Sequence, residues 1–371
     1  MSELKYKKNA SVIMEANRVM VICNACRYCE GICALFPAMG LRRVFTEGDL
    51  HYLANLCHNC RSCYYACQYA PPHEFSLNFP KAMAELRAQT YEKGAPAFLQ
   101  RFFPNNALYV FTASLLSILV LIAAVLYFKG PQVLFGVHTG PGAFYEIIPY
   151  PAMLIVFSLA LLFALAALWM GGCALWKMTE GKTQWLHISS HKQAIKDVCA
   201  LKYLDGGGDG CNYPDNRFSM IRRWLHHGIF YGFLLCLAST AVAFFYDHAL
   251  NLSAPYPFRS IPVLLGAIGG LGLTAGTGGM LWLKTVMDER PSEPTSAGMD
   301  MAFSMLLFLV SLSGLLLLIL RDTELMGLLL CVHLGLVLGF FMTMPCGKFV
   351  HVVYRYAALV RHAHEQRTGE C

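Results

Sequence analysis

Charge is scarce in this chain. Asp, Glu, Lys and Arg make up 14% of its 371 residues and hydrophobic types 56%, which excludes an ordinary soluble protein, whose charged share is roughly a quarter. No apolar core of signal-peptide type precedes the first cysteine in MSELKYKKNASVIMEANRVM. The cysteines are therefore expected to begin in a reducing compartment, where metal ligation is favoured over disulfides. No dinucleotide or Walker spacing occurs, the glycine-rich turn 205–210 included, so flavin or nicotinamide chemistry belongs on another subunit. No nucleic-acid motif accompanies the net charge of +6, and nucleic acid is not an expected partner. No C-x-x-C-H run exists for covalent haem attachment.

What fills the chain instead is apolar sequence. Segments free of Asp, Glu, Lys and Arg run over 105–128, 147–176, 224–246, 260–283, 301–320 and 325–347, each about as long as the roughly 20 residues that cross a bilayer core. They predict a domain over 1–104, bounded near Phe103-Pro104, and a membrane domain over 105–371. Its six spans are expected at about 106–128, 149–172, 225–247, 261–283, 301–320 and 326–348, with a polar loop over 177–223. A soluble protein with buried helices does not account for six uncharged runs of this length. With the N-terminus inside, 26 of the 29 Lys and Arg fall on one side of the bilayer, which predicts both termini in the cytoplasm at a bacterial inner membrane. No acidic residue lies within the uncharged runs, so the carboxylate relay of an ion pump is missing.

Eight of the fifteen cysteines form two runs, Cys23-x2-Cys26-x2-Cys29-x3-Cys33 and Cys57-x2-Cys60-x2-Cys63-x3-Cys67, each member of the second 34 residues after its counterpart. Three thiolates at this spacing wrap one face of a cubane, and in two-cluster ferredoxins the fourth cysteine of each run ligates the other cluster. The expected sets are therefore crossed: Cys23, Cys26, Cys29 and Cys67 for one [4Fe–4S] cluster, and Cys57, Cys60, Cys63 and Cys33 for the other. Zinc sites built from paired C-x2-C motifs would leave the third and fourth cysteine of each run unexplained. Leu41, Val44, Phe45, Leu50, Leu53 and Leu56 predict a helix over 41–56 between the runs. Pro37 and Pro71, each four residues after a fourth cysteine, are expected to end the local turn. The fold class is all-α: a helical two-cluster ferredoxin-like domain followed by a six-helix transmembrane bundle.

Histidines supply the second signal. His226 and His227 open the third span, His248 follows its far end, His333 lies inside the sixth and His351 near its end. On an unbroken helix His333 and His351, 18 residues apart, share a face at an axial separation of about 27 Å. His226 and His248 fall within about 40° of one face. Antiparallel third and sixth spans bring His226 or His227 to the depth of His351, and His248 nearest that of His333. This predicts a b-type haem at the inner pair, and a second at the outer pair if His248 reaches it. An imidazole in lipid is costly and reads as functional. Gly228, Gly232, Gly335 and Gly339 are read first as close helix packing and otherwise as room for a macrocycle. His187, His191, Cys199 and Cys211 are too irregularly spaced to predict a metal site, so loop 177–223 is read as a docking or quinone-site loop.

With these motifs, the segments GCNYPDNRFSMIRRWLHHGIFYGFLLC, APYPFRSIPVLLG and HLGLVLGFFMTMPCGKFVHVVYRYAALV resemble the tricarballylate utilisation protein B family, also called the citrate utilisation protein B family, over nearly the whole chain. The resemblance implies the membrane partner of an FAD-dependent tricarballylate dehydrogenase. Such a protein reoxidises the flavin through iron–sulfur clusters and b-type haem and passes electrons to the quinone pool. It implies the eight cysteines as cluster ligands, and His226 or His227, His333 and His351 as haem ligands. The membrane half is also similar to the cytochrome b subunits of nitrate reductase, in which two histidines of one helix serve different haems. The third-span histidines here are more widely separated than in that pattern. Rival readings are a redox-sensing transporter, which leaves the His333/His351 register unexplained, and the same electron-transfer role for a different dehydrogenase.

Overall fold

The computed structural model describes residues 2–179, 187–294 and 296–369, with side chains from Asn9 onward. Each cysteine run begins where a helix stops. Helix Ser2–Cys26 carries Cys23 and Cys26 on its last turn, and helix Glu47–Leu56 ends one residue before Cys57. Beyond these ends the two runs bend alike: Arg27 and Arg61, equivalent in the 34-residue repeat, both take left-handed backbone, at φ 53° and 67°. That conformation costs a non-glycine residue about 1–2 kcal/mol, and it turns the backbone so that the following cysteines close back on the first two.

The helix between the runs is shorter than the apolar pattern predicts. It starts at Glu47 because Thr46 closes a capping box, its Oγ accepting from the Asp49 N–H at 3.1 Å while the Asp49 carboxylate accepts from the Thr46 N–H at 3.3 Å. Residues 41–45 stay outside it, and Val44 is 80% exposed. Pro37 does not end a turn. It lies in the first turn of helix Leu35–Gly40, where a missing N–H costs nothing. Pro71 does sit among turns.

Among the described residues six helices are long and apolar enough to cross a membrane, as expected of a multi-pass membrane protein: Asn106–Phe128, Tyr150–Met178, Ile221–Ala249, Ile261–Val286, Ala297–Leu320 and Met326–Cys346. Several outrun the uncharged segments, so the third span includes Arg222 and Asp247, the fourth Lys284, and the fifth Asp300. The glycines serve helix packing. A Cβ on Gly232 of the third span would meet the Leu273 N of the fourth at 2.7 Å, and Gly335 and Gly339 of the sixth close on Ile118 and Ser114 of the first at 2.6 Å. Such contacts replace the hydrophobic drive that lipid removes.

The sixth span does not run on to His351. Its α-helix stops at Thr343 and two 3-10 turns, Met344–Cys346 and Lys348–Val350, lead into a separate helix, His351–Thr368. Pro345 has no N–H to continue the ladder and Gly347 takes an extended conformation, φ −123° and ψ −167°. The shared face computed for an unbroken helix therefore does not exist. The last helix leaves the bundle and buries Ala358, Leu359 and Val360 in the same core as Ala16, Met20 and Leu53 of the N-terminal half.

A buried ion network fixes that docking. Arg42 Nε bonds Asp49 at 2.7 Å, Arg361 bonds Asp49 at 3.2 Å and Glu365 at 2.9 Å, and Arg42 also bonds Glu365. Tyr52 donates its hydroxyl to Glu365 at 2.9 Å, and its ring lies 5.0 and 4.3 Å from the two guanidinium carbons. Two cations face two anions, so removing one member strands a buried charge, at a cost of about 3–5 kcal/mol. Glu365→Ala is accordingly expected to lower the melting temperature of the full-length protein in detergent. An unchanged melt would show that the network does not hold the last helix.

Candidate functional site

The eight cysteines of the two runs lie close to one another. Cys23, Cys26, Cys29, Cys63 and Cys67 line one cavity, with Phe36 and Phe79 among its walls. Burial, then Cys67, Cys29 and Cys26, push the Cys23 thiol up to about 12. Burial, then Cys67 and Cys26, push Cys29 up to about 11. In the second set burial raises Cys33 and Cys63, and Cys60 and Cys57 add to both. The sets adjoin where the Cys29 Sγ lies 3.9 Å from the Cys63 carbonyl oxygen. Four thiolates this close stay ionised only around a cationic centre. Among the described residues no group of three His, Cys, Asp or Glu is placed to hold a single metal ion.

Of the histidines, His226 and His351 face one another with ring centroids 6.4 Å apart and planes at 80°. His351 donates its Nδ1–H to the Lys348 carbonyl oxygen at 2.7 Å, which leaves Nε2 as a free electron pair, the state in which imidazole binds metals. His226 Nδ1 is buried without a hydrogen-bond partner. His227 turns aside, stacked on Tyr231 at 5.7 Å and against Trp224 at 5.9 Å, so of the two neighbours it is His226 that faces His351.

The structure does not bring His333 and His248 together. His333 lies two turns into the sixth span with Nδ1 3.1 Å from Ser313 Oγ. His248 is exposed on the last turn of the third, its ring 4.0 Å from Phe244 and 5.6 Å from Tyr150. Among the described residues no ring contact joins His333 to His248, whose side chain lies against aromatic rings at the helix end. The loop residues also stay apart: His187 stacks on His364, His191 bonds the Tyr356 hydroxyl at 2.8 Å, Cys211 points at the Leu204 carbonyl and Cys199 is exposed. The loop does touch the site, where the Asn212 N–H donates to the Cys60 carbonyl oxygen at 3.1 Å.

Sequence reasoning passed over three arginines. Arg222 lies one turn before His226 and donates to the carbonyl oxygens of Asn59 at 2.6 Å and His58 at 3.2 Å. Arg355 lies one turn after His351 and donates to the Cys57 carbonyl oxygen at 3.0 Å, which also accepts from Arg87 at 2.6 Å. Both helices that present the facing histidines thus grip the loop that carries Cys57 and Cys60. The four-residue spacings were visible in the sequence, but their common target was not.

The family described as Citrate utilization protein B matches residues 102–371, and its Fer4-like domain matches residues 16–93. The chain belongs to the citrate utilization protein B family. A relative from Escherichia coli named Citrate utilization protein B is 44% identical over 359 residues, covering 96% of this chain and 93% of its own length. No solved structure matches the chain. A Fer4-like domain joined to membrane helices is the architecture of an electron-transfer protein.

Proposed function

We propose that the chain is the membrane partner of a separate FAD-bearing dehydrogenase for tricarballylate or a related carboxylate, and that it passes electrons through two [4Fe–4S] clusters and one b-type haem to the quinone pool. One observation carries the reading: the helices presenting His226 and His351 clamp, through Arg222 and Arg355, the peptide of Cys57 to Asn59.

The residues fit the groups they would hold. Cys23, Cys26, Cys29 and Cys67 would ligate one cluster and Cys33, Cys57, Cys60 and Cys63 the other, and His226 and His351 would take the haem iron between them. Their ring centroids stand 6.4 Å apart, and imidazole is a common ligand of haem iron. When bound, these groups each carry one electron, which divides the two-electron oxidation of a reduced flavin into single steps ending at a quinone. The charge asymmetry supports placing the cysteine half on the cytoplasmic side of a bacterial inner membrane, within reach of a soluble flavoprotein.

Membranes containing the chain and its flavoprotein are expected to reduce a quinone when tricarballylate is supplied. A Cys57→Ser variant should lose substrate-driven haem reduction while dithionite still reduces the haem. Unimpaired substrate-driven reduction in that variant would show that the route runs elsewhere.

A further inference from the structure

Charge around the facing histidines does not balance. Arg87, Arg222 and Arg355 hold the cysteine loop beside them, and Lys284 and Lys348 close the same end of the bundle. Among the described residues the one carboxylate that pairs with any of these five is Asp300, 2.8 Å from Lys348 Nζ and 3.9 Å from Lys284 Nζ. The group carries a surplus of four positive charges. Arg87 is buried and the other four are half-buried, and charge held away from water without a counter-ion is costly, so this end of the bundle suits anions that the polypeptide does not supply.

Four thiolates on a [4Fe–4S] core leave a net charge of about −2, which answers part of the surplus. Arg87 and Arg222 are aimed at it, since their guanidinium groups are bonded to the carbonyls of residues 54–59. Arg355 is different. It gives one N–H to the Cys57 carbonyl oxygen, and its Nε is buried without any hydrogen-bond partner. It stands one turn beyond His351, on the same face of that helix. A ligand held by His351 that bears carboxylates along one edge would meet the unused donor.

Resting on the reading that His226 and His351 hold a haem, we infer that Arg355 anchors one of the two carboxylates of that tetrapyrrole, with Lys284 and Lys348 supplying positive charge for the other. Arg355 is then a binding residue for the cofactor's edge, distinct from the axial ligands. With the iron ferrous and the iron–porphyrin core neutral, the two carboxylates and the cluster together would offset the surplus.

The test compares protohaem with its dimethyl ester, which has the same ring and iron but no charged edge. The full-length protein is produced in haem-depleted cells, supplied with either pigment, and assayed for bound pigment, iron and sulfide. Wild type is expected to prefer protohaem by roughly tenfold or more, the size of a charged hydrogen bond. Arg355→Gln should lose most of that preference while still taking up the ester. Where Arg355→Gln does not accumulate, Arg355→Lys decides: a reduced preference supports the anchor, because a point charge cannot reproduce the guanidinium fork, and a full preference overturns it. An undiminished preference in Arg355→Gln also overturns it. Wild type that binds neither pigment would remove the haem reading itself, whereas binding that depends on His351 and shows no preference would remove the anchor alone.

Discussion

His351→Ala and His226→Ala are each expected to abolish the reduced α-band of a low-spin b-type haem, while His227→Ala leaves it in place. A low-spin iron needs both axial imidazoles, so losing either one ends the signal or converts it to high spin. The two neighbours on the third span differ only in direction. His226 meets His351 at 6.4 Å between ring centres, while His227 lies against Trp224 and Tyr231. His351 is the more sensitive position, because its tautomer is set by the Lys348 carbonyl. Absorption spectra of purified, dithionite-reduced variants with the haem counted decide the matter, and a full α-band in His351→Ala would refute the assignment. His248→Ala is expected to do nothing to the band, its ring being taken up by Phe244 and Tyr150.

The second large effect concerns the cysteines. The protein should contain close to eight iron and eight acid-labile sulfide atoms per chain, since two complete runs supply ligands for two cubanes. Cys67→Ser should damage the cluster of Cys23, Cys26 and Cys29, with which Cys67 shares a cavity. Cys33→Ser should damage the other, since Cys33 lies among Cys57 and Cys60. Paramagnetic resonance of the reduced variants separates the two signals. Loss of the same signal in both variants would refute the crossed arrangement, and stoichiometric zinc with little sulfide would remove the clusters.

Much of this was legible because cysteine spacing is local. Eight thiols separated by two or three residues leave few ways to surround two centres, and the 34-residue repeat shows in the backbone as the matching turns at Arg27 and Arg61. The six spans and the family resemblance were legible for similar reasons, since apolar length is written in composition. What failed were inferences that needed a partner or an interruption. His226 and His227 lie about 100° apart on a helix, and only the packed bundle says which of them looks inward. The break at Pro345 and Gly347 was present in the sequence but lay inside an uncharged run, where hydropathy gives no reason to stop. Arg222 and Arg355 were read as topology markers at span ends, a use that conceals their hydrogen bonds to residues 57–59. Asp300 was placed outside the fifth span because charge was the criterion for its edge. The Arg42–Glu365 pair joins residues 323 positions apart, and no periodicity reports on that.

That last pairing sets an order of events during synthesis. The cysteine half emerges from the ribosome first, yet Ala358, Leu359 and Val360 belong to its core, and Arg42 and Asp49 find Arg361 and Glu365 only when the final helix arrives. Domains near the start of a chain ordinarily finish folding while the rest is still being made. Here residues translated early, Arg42 and Asp49, find their partners in Arg361 and Glu365, which follow all six of those long apolar helices along the chain.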